Sequence, residues 1–131
     1  MELQLKIVGF ILVVLALIHA GFPKRFNWKT ELAALSLFNK EVMYVHTFFI
    51  GLTTLLMGIL CLYSTDDLIH TKLGHTIAFG LFIFWGARLF FQFFVYSTEL
   101  WKGKAFERTI HILFAILWTY LTIVFLIIAI R

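Results

Sequence analysis

Four long apolar segments dominate this chain of 131 residues and limit the folds that are open to it. They cover residues 5–22, 42–63, 73–96 and 108–130, and the mean hydropathy of the chain is +0.96. About 20 helical residues cross a hydrocarbon core that is about 30 Å thick. None of the segments alternates polar with apolar residues, as the strands of a membrane barrel do. The sequence therefore predicts an all-α protein with four membrane spans in a single domain, residues 1–131.

The first segment also has some features of a cleaved signal peptide, because Lys6 precedes an apolar stretch that ends at Ala20 and Gly21. Signal peptides need small residues at two positions before the cleavage site, and Ile18 occupies one of them. We therefore expect the segment to be retained as the first span.

Basic residues are concentrated in two loops, residues 23–41 and 97–109. These loops hold seven lysines or arginines, against three near the opposite ends of the spans. Loops rich in lysine and arginine remain in the cytoplasm, so both termini are predicted to lie outside it. The net charge of +4 is accordingly interpreted as a topology signal and as contact with anionic lipid in the bilayer, not as a nucleic-acid surface.

Short connections between the spans predict an up-down-up-down four-helix bundle. Pro23 is expected to end the first span, and Asn39 to cap the second. Residues 26–35 combine helix-forming residues with an interfacial tryptophan, Trp28, and predict a short helix at the membrane surface. Stripes of small residues predict tight helix contacts or a homodimer face. These residues are Gly9, Ala16 and Ala20 in span 1, Gly51 and Gly58 in span 2, and Gly80 and Ala87 in span 3.

Polar residues recur at similar depth in all four spans, near the ends predicted to be cytoplasmic. An ionisable residue within a span is costly and therefore marks a candidate functional site. At the helical rise, the three histidines lie about 5–9 Å below the boundary, Gln92 about 7 Å and Arg88 about 13 Å. A long arginine side chain extends toward the nearer interface, which would bring the Arg88 guanidinium level with the histidines. The candidate site residues are His19, His46, Arg88, Gln92, Tyr96 and His111.

Helical spacing indicates which of these groups face inward. In span 3, Trp85, Arg88, Gln92 and Tyr96 share one face, and in span 4 His111, Ala115, Trp118 and Thr122 do so. In span 2 the predicted inward stripe is His46, Thr53 and Met57, with Thr54 at its edge.

Three kinds of function fit such a polar layer. In the first, two of His19, His46 and His111 are axial ligands of haem b, or all three hold a transition metal ion. Arg88 favours haem, because a buried cation repels a bare metal ion and pairs with a propionate. In the second, the layer is a pocket for an anionic or quinone-like molecule in a small carrier or sensor, with Arg88 pairing charge. In the third, the protein is a structural or accessory subunit. A binding role is favoured over enzymatic turnover.

Two stretches carry a resemblance to a known group of proteins. They run from His19 to Leu32 (HAGFPKRFNWKTEL) and from Met43 to Phe49 (MYVHTFF). In these stretches the chain resembles uncharacterised small bacterial four-span membrane proteins. The resemblance extends over most of the chain and implies the four-span architecture and a bacterial inner membrane. It implies no activity.

Overall fold

A computed structural model describes residues 1–96, 98–100 and 102–131 of the chain. Ser97 and Trp101, in the second basic loop, lie outside the described residues. Within them the structure is helical, without β-strands. The helices are α1 (Glu2–Ala20), α2 (Phe22–Arg25), α3 (Trp28–Glu31), α4 (Leu37–Tyr63), α5 (Thr65–His70), α6 (Lys72–Phe94) and α7 (Ala105–Ala129), with a 3-10 turn at Thr98–Leu100.

Four helices of the described chain, α1, α4, α6 and α7, are long and apolar enough to cross a membrane. The prediction of an all-helical protein with four spans is therefore confirmed, although the helix ends differ from those predicted. α4 begins at Leu37, because the Ser36 hydroxyl accepts the backbone N–H of Asn39 at 3.2 Å. The helix cap is thus Ser36 and not Asn39. α1 ends at Ala20, and Pro23 lies in the first turn of α2, where its missing N–H is tolerated.

The segment between α1 and α4 is not the single helix predicted for residues 26–35. It contains two single-turn helices, α2 and α3, and Asn27 between them has a left-handed backbone with φ 55°. A residue in that conformation interrupts a right-handed helix. Trp28 at the start of α3 is buried, and its ring meets Tyr44 of α4 edge-on with 5.3 Å between the centroids. This contact holds the connecting segment against α4.

The chain divides into two compact helical hairpins. In the N-terminal hairpin, residues 2–65, α1 packs against α4. The two backbones approach most closely at two glycines. A Cβ atom on Gly58 would lie 2.9 Å from the Gly9 carbonyl oxygen and 2.9 Å from Val13 Cγ2. The predicted contact between these small residues is therefore confirmed within this hairpin.

The stripe predicted for the second span is not the face that α4 packs against α1. Thr54 is buried together with Gly51, Gly58 and Cys61, whereas His46 and Thr53 are exposed. The glycines determine this rotation of α4, because only a residue without a side chain fits against the α1 backbone. The buried Thr54 hydroxyl donates to the Ile50 carbonyl oxygen at 2.9 Å, so it needs no polar partner on another helix.

The C-terminal hairpin, residues 66–131, begins with a tight turn that joins α5 to α6. The Thr71 hydroxyl caps α6 by accepting the Gly74 N–H at 2.9 Å, and it donates to the Asp67 carbonyl oxygen at 2.6 Å. A Cβ atom on Gly74 would collide with that same carbonyl group. α6 then packs against α7 along its length. A Cβ atom on Gly80 would meet no atom of the described residues within 4 Å, so this part of the predicted small-residue stripe makes no tight contact within the hairpin.

Replacement of Gly58 by alanine tests the close approach of α1 and α4. The new methyl group would meet backbone atoms of Gly9 and Val13, which cannot move without separating the helices. We expect Gly58→Ala to lower the free energy of unfolding by about 1–3 kcal/mol, as overpacking does in a well-packed core. The measurement is helix content by circular dichroism during titration of detergent-solubilised protein with SDS.

Gly80→Ala is the matched control. It adds the same methyl group to a site with open space, so helix propensity predicts unchanged stability or a gain of up to about 1 kcal/mol. Equal effects of the two substitutions would contradict the packing described for the N-terminal hairpin.

Candidate functional site

The predicted site residues fall into two groups, one in each hairpin. His19 on α1 and His46 on α4 belong to the N-terminal hairpin, and Arg88, Gln92, Tyr96 and His111 belong to the C-terminal hairpin. In the second group Arg88 contacts Tyr96 and Gln92 contacts His111, and Trp118 touches both Arg88 and Gln92. A single layer that contains all six residues stays a prediction.

The Gln92 side chain forms the centre of the C-terminal group. Gln92 is 5% exposed and faces α7. Its amino group donates to His111 Nδ1 at 2.8 Å and to the His111 backbone carbonyl oxygen at 3.3 Å. Its amide oxygen accepts the indole N–H of Trp118 at 3.3 Å. The single amide therefore connects α6 to two positions of α7 that are about two helical turns apart.

These partners fix both the amide orientation and the histidine tautomer. An indole nitrogen can only donate, so the Gln92 oxygen must face Trp118, and the amino group must face His111. His111 Nδ1 then accepts a hydrogen bond, which requires a neutral imidazole with its proton on Nε2. The geometry is that of an uncharged histidine.

Trp118 is also part of an aromatic stack. Its ring lies nearly parallel to Trp85, at 16° with 5.2 Å between centroids, and nearly parallel to Phe114, at 18° and 5.4 Å. Trp85 and Trp118 are both buried. The predicted inward faces of α6 and α7 are therefore confirmed as faces in contact with each other.

Arg88 lies on the same face and has only uncharged partners. Its Nη2 donates to the Tyr96 hydroxyl at 3.1 Å, and its guanidinium carbon lies 5.4 Å from the Tyr96 ring centre and 5.1 Å from that of Trp118. The head group thus extends toward the C-terminal end of α6, as expected for an arginine within a span. Among the described residues no carboxylate forms an ion pair with it.

Trp85 presents the one buried side-chain polar atom of the described chain that lacks a hydrogen-bond partner, its indole nitrogen Nε1. The residue is 3% exposed and lies one helical turn before Arg88. Sequence reasoning placed Trp85 on the inward face but did not identify this donor. The missing acceptor becomes visible only when the side chains around the Trp85 indole are known.

In the N-terminal hairpin, His19 lines a largely apolar cavity of about 410 Å³ between α1 and α4. Its Nδ1 donates to the Leu15 carbonyl oxygen at 2.9 Å, and His46 Nδ1 makes the same contact with Val42 at 3.0 Å. In each ring Nε2 is the nitrogen that the backbone carbonyl does not engage. His19 is half-buried, and its ring contacts Phe22 at a tilt of 39° with 4.6 Å between the centroids, whereas His46 is exposed and does not line the cavity.

A metal site built from all three histidines has no support in this geometry. Within the described part of the chain, no group of three or more His, Cys, Asp or Glu side chains could hold one metal ion. His111 Nδ1 is engaged within the C-terminal hairpin, because it accepts a hydrogen bond from the Gln92 amino group.

No protein-family model, curated protein or solved structure matches this chain.

Removal of the Gln92 amide tests the central role of this side chain. Gln92→Leu keeps the volume similar but leaves the buried Trp118 N–H without its acceptor and removes the donor to His111. We expect the free energy of unfolding to fall by about 1–3 kcal/mol, the cost of a buried polar group without a partner. Unfolding in SDS, followed by circular dichroism, measures it.

Thr119→Val is the matched control on α7. It removes a hydroxyl that donates only to the carbonyl oxygen of Ala115 within the same helix, at 2.7 Å. The expected loss is a few tenths of a kcal/mol, because no contact between helices is broken. If Gln92→Leu were equally mild, the amide would not hold α6 to α7.

Proposed function

We propose that this protein binds an acceptor-bearing amphipathic molecule, anionic or quinone-like, at the Arg88 site within the membrane, and that it acts as a carrier or sensor of that molecule. The Arg88 site consists of Trp85, Arg88, Gln92, Tyr96, His111 and Trp118. The observation that carries the proposal is the guanidinium of Arg88, which lies in a membrane span and has no acidic partner among the described residues.

The energetics of Arg88 favour a ligand. An arginine near the centre of a span costs about 2.5–3.5 kcal/mol on insertion scales. One phenol hydrogen bond and two aromatic contacts offset part of this cost, because a cation over a ring contributes about 0.5–2 kcal/mol. They leave the remaining guanidinium N–H groups for oxygen atoms of another molecule. Charge-assisted hydrogen bonds to such oxygens are about twice as strong as neutral ones.

The rest of the site also favours an acceptor as ligand. The amide oxygen of Gln92 is engaged by Trp118, and the Nδ1 lone pair of His111 by the Gln92 amino group. Trp85 Nε1 has no hydrogen-bond acceptor among the described residues, and Arg88 donates to the uncharged hydroxyl of Tyr96. A molecule that brings carboxylate, phosphate or carbonyl oxygens complements this arrangement.

We further propose an up-down-up-down bundle in a bacterial inner membrane, with both termini outside the cytoplasm and the α2–α3 segment at the cytoplasmic surface. The bias of seven basic residues against three and the position of Trp28 in the segment support this placement. The Arg88 site would then open toward the cytoplasm.

Cysteine labelling tests this orientation. In a Cys61→Ser background, which removes the single native cysteine, we expect a membrane-impermeant maleimide to label Lys72→Cys in intact cells. Lys102→Cys should be labelled only after the membrane is permeabilised. The reverse pattern would invert the topology, and labelling of both residues in intact cells would reject four spans.

Haem b at His19 is a second candidate function. The Nδ1–H of His19 is held by a backbone carbonyl, an arrangement typical of ligating histidines, and the ring faces a cavity of about 410 Å³. The exposed His46 does not line that cavity, which therefore offers haem one axial ligand. A haem absorption band in the purified protein, lost in His19→Ala, would favour this candidate.

The binding test uses two probes that quench tryptophan fluorescence, decylubiquinone and dibromostearate. In a Trp28→Phe, Trp101→Phe background the remaining emission comes from Trp85 and Trp118 of the site. We expect Arg88→Ala to weaken binding of at least one probe by about 10- to 100-fold, which is the effect of one lost charge-assisted hydrogen bond. Arg88→Lys should bind with intermediate affinity, because it keeps the charge without the planar fork.

Arg108→Ala, which removes an exposed arginine from the first turn of α7, controls for partition of the probes into the detergent and should bind as the wild type does. Equal quenching of wild type, Arg88→Ala and Arg108→Ala would reject the proposed function. Loss of folded protein in Arg88→Ala together with absence of binding to the wild type would favour a structural or accessory role.

A further inference from the structure

The indole nitrogen of Trp85 is the unexplained polar atom of the Arg88 site. Among the described residues it has no hydrogen-bond partner, although the side chain is 97% buried. Trp85 lies near the middle of α6, where the hydrocarbon core supplies no water. A buried donor without an acceptor costs about 1–3 kcal/mol, and such groups in native proteins usually have a reason.

The neighbouring tryptophan shows that the fold can satisfy such a group. Trp118 is equally buried, at 4% exposure, and the Gln92 amide oxygen accepts its N–H at 3.3 Å. The two rings stack at 5.2 Å, yet only one of them has a protein acceptor. A phenylalanine at position 85 would stack on Trp118 without an unpaired donor. The N–H group is thus the part of Trp85 that packing does not explain.

We propose that Trp85 donates its indole N–H to the molecule bound at Arg88, and that this molecule carries two separated acceptor oxygens, as a para-quinone does. The inference rests on the proposed function and specifies its ligand class. Arg88 takes the oxygen nearer the membrane surface, and Trp85 takes the deeper one.

The positions of the two donors favour a ligand with acceptors at both ends of its head group. Trp85 and Arg88 both contact Trp118, with separations of 5.2 Å and 5.1 Å, but the guanidinium is drawn toward Tyr96, eleven residues beyond Trp85. A fatty acid has its oxygens on a single carbon atom and would leave the deeper donor unpaired. The two carbonyl groups of a quinone lie on opposite sides of its ring and can reach two levels of the site.

The aromatic surroundings favour a planar head group. Trp85, Trp118 and Phe114 present nearly parallel rings, with interplanar angles of 16° and 18°. Offset stacking stabilises an aromatic pair by about 0.5–1.5 kcal/mol beyond the burial of area. A flat ring beside this stack gains that stabilisation, and a flexible acyl chain does not.

The test follows the Trp85 indole by NMR in protein labelled with ¹⁵N-tryptophan. The four tryptophans give four indole N–H signals, which single Trp→Phe variants assign. We expect decylubiquinone to move the Trp85 signal downfield, as a new hydrogen bond does, and dibromostearate to leave it in place. In Arg88→Ala the shift at the same decylubiquinone concentration should be lost.

Affinity provides the second readout. Trp85→Phe keeps an aromatic ring on Trp118 and removes the N–H donor, so it should remain folded yet bind decylubiquinone about 5- to 30-fold more weakly. Its affinity for dibromostearate should not change. Trp28→Phe, which replaces a buried tryptophan in the N-terminal hairpin, is the control and should leave both affinities unaltered.

The outcomes separate this inference from the proposed function. If decylubiquinone binds in an Arg88-dependent manner but the Trp85 signal does not move, or Trp85→Phe binds as the wild type does, the inference is wrong and the proposed function stands. An equal downfield shift of the Trp85 signal with dibromostearate would overturn the claim that the ligand carries two separated acceptor oxygens. If neither probe binds in an Arg88-dependent manner, both proposals fail.

Discussion

The Gln92 amide is the interaction on which the rest of the C-terminal hairpin depends. α6 and α7 are largely apolar, and the hydrophobic effect does little to set the relative rotation of apolar helices in lipid. A buried amide with three hydrogen bonds to one neighbouring helix fixes their relative rotation, because any other rotation leaves polar groups unpaired in a medium of low dielectric constant. It also fixes the tautomer of His111 and the position of Trp118.

Trp118 connects the Gln92 amide to the other donors of the Arg88 site. Its ring supports Trp85 by stacking and Arg88 by a cation–π contact, so the amide that positions Trp118 indirectly positions both donors. The result is a preorganised group of donors on a rigid helix pair. Preorganisation of this kind favours binding, since less conformational entropy is lost when a ligand arrives.

The sequence predicted the spans well because length and hydropathy determine them almost directly. It also predicted the surfaces through which α6 and α7 meet, because polar residues within a span usually face other helices. The sequence-based prediction failed where the conformation of one residue ends a helix, or where small residues set the rotation of a helix. Asn27 breaks the helix predicted over residues 26–35, and the glycines of α4 rotate His46 to an exposed position. The missing acceptor at Trp85 depends on three-dimensional neighbours and could not be read from the chain.

The most direct measurement of the central claim is mass spectrometry of the organic extract from protein purified in a mild detergent. If Arg88 holds a ligand, wild-type protein should retain an amphipathic molecule with acceptor oxygens at near one-to-one stoichiometry. Arg88→Ala purified in parallel should lack that molecule while carrying the same bulk lipids. Identical extracts from the two proteins, or haem as the retained molecule, would contradict the claim that Arg88 is the centre of a binding site.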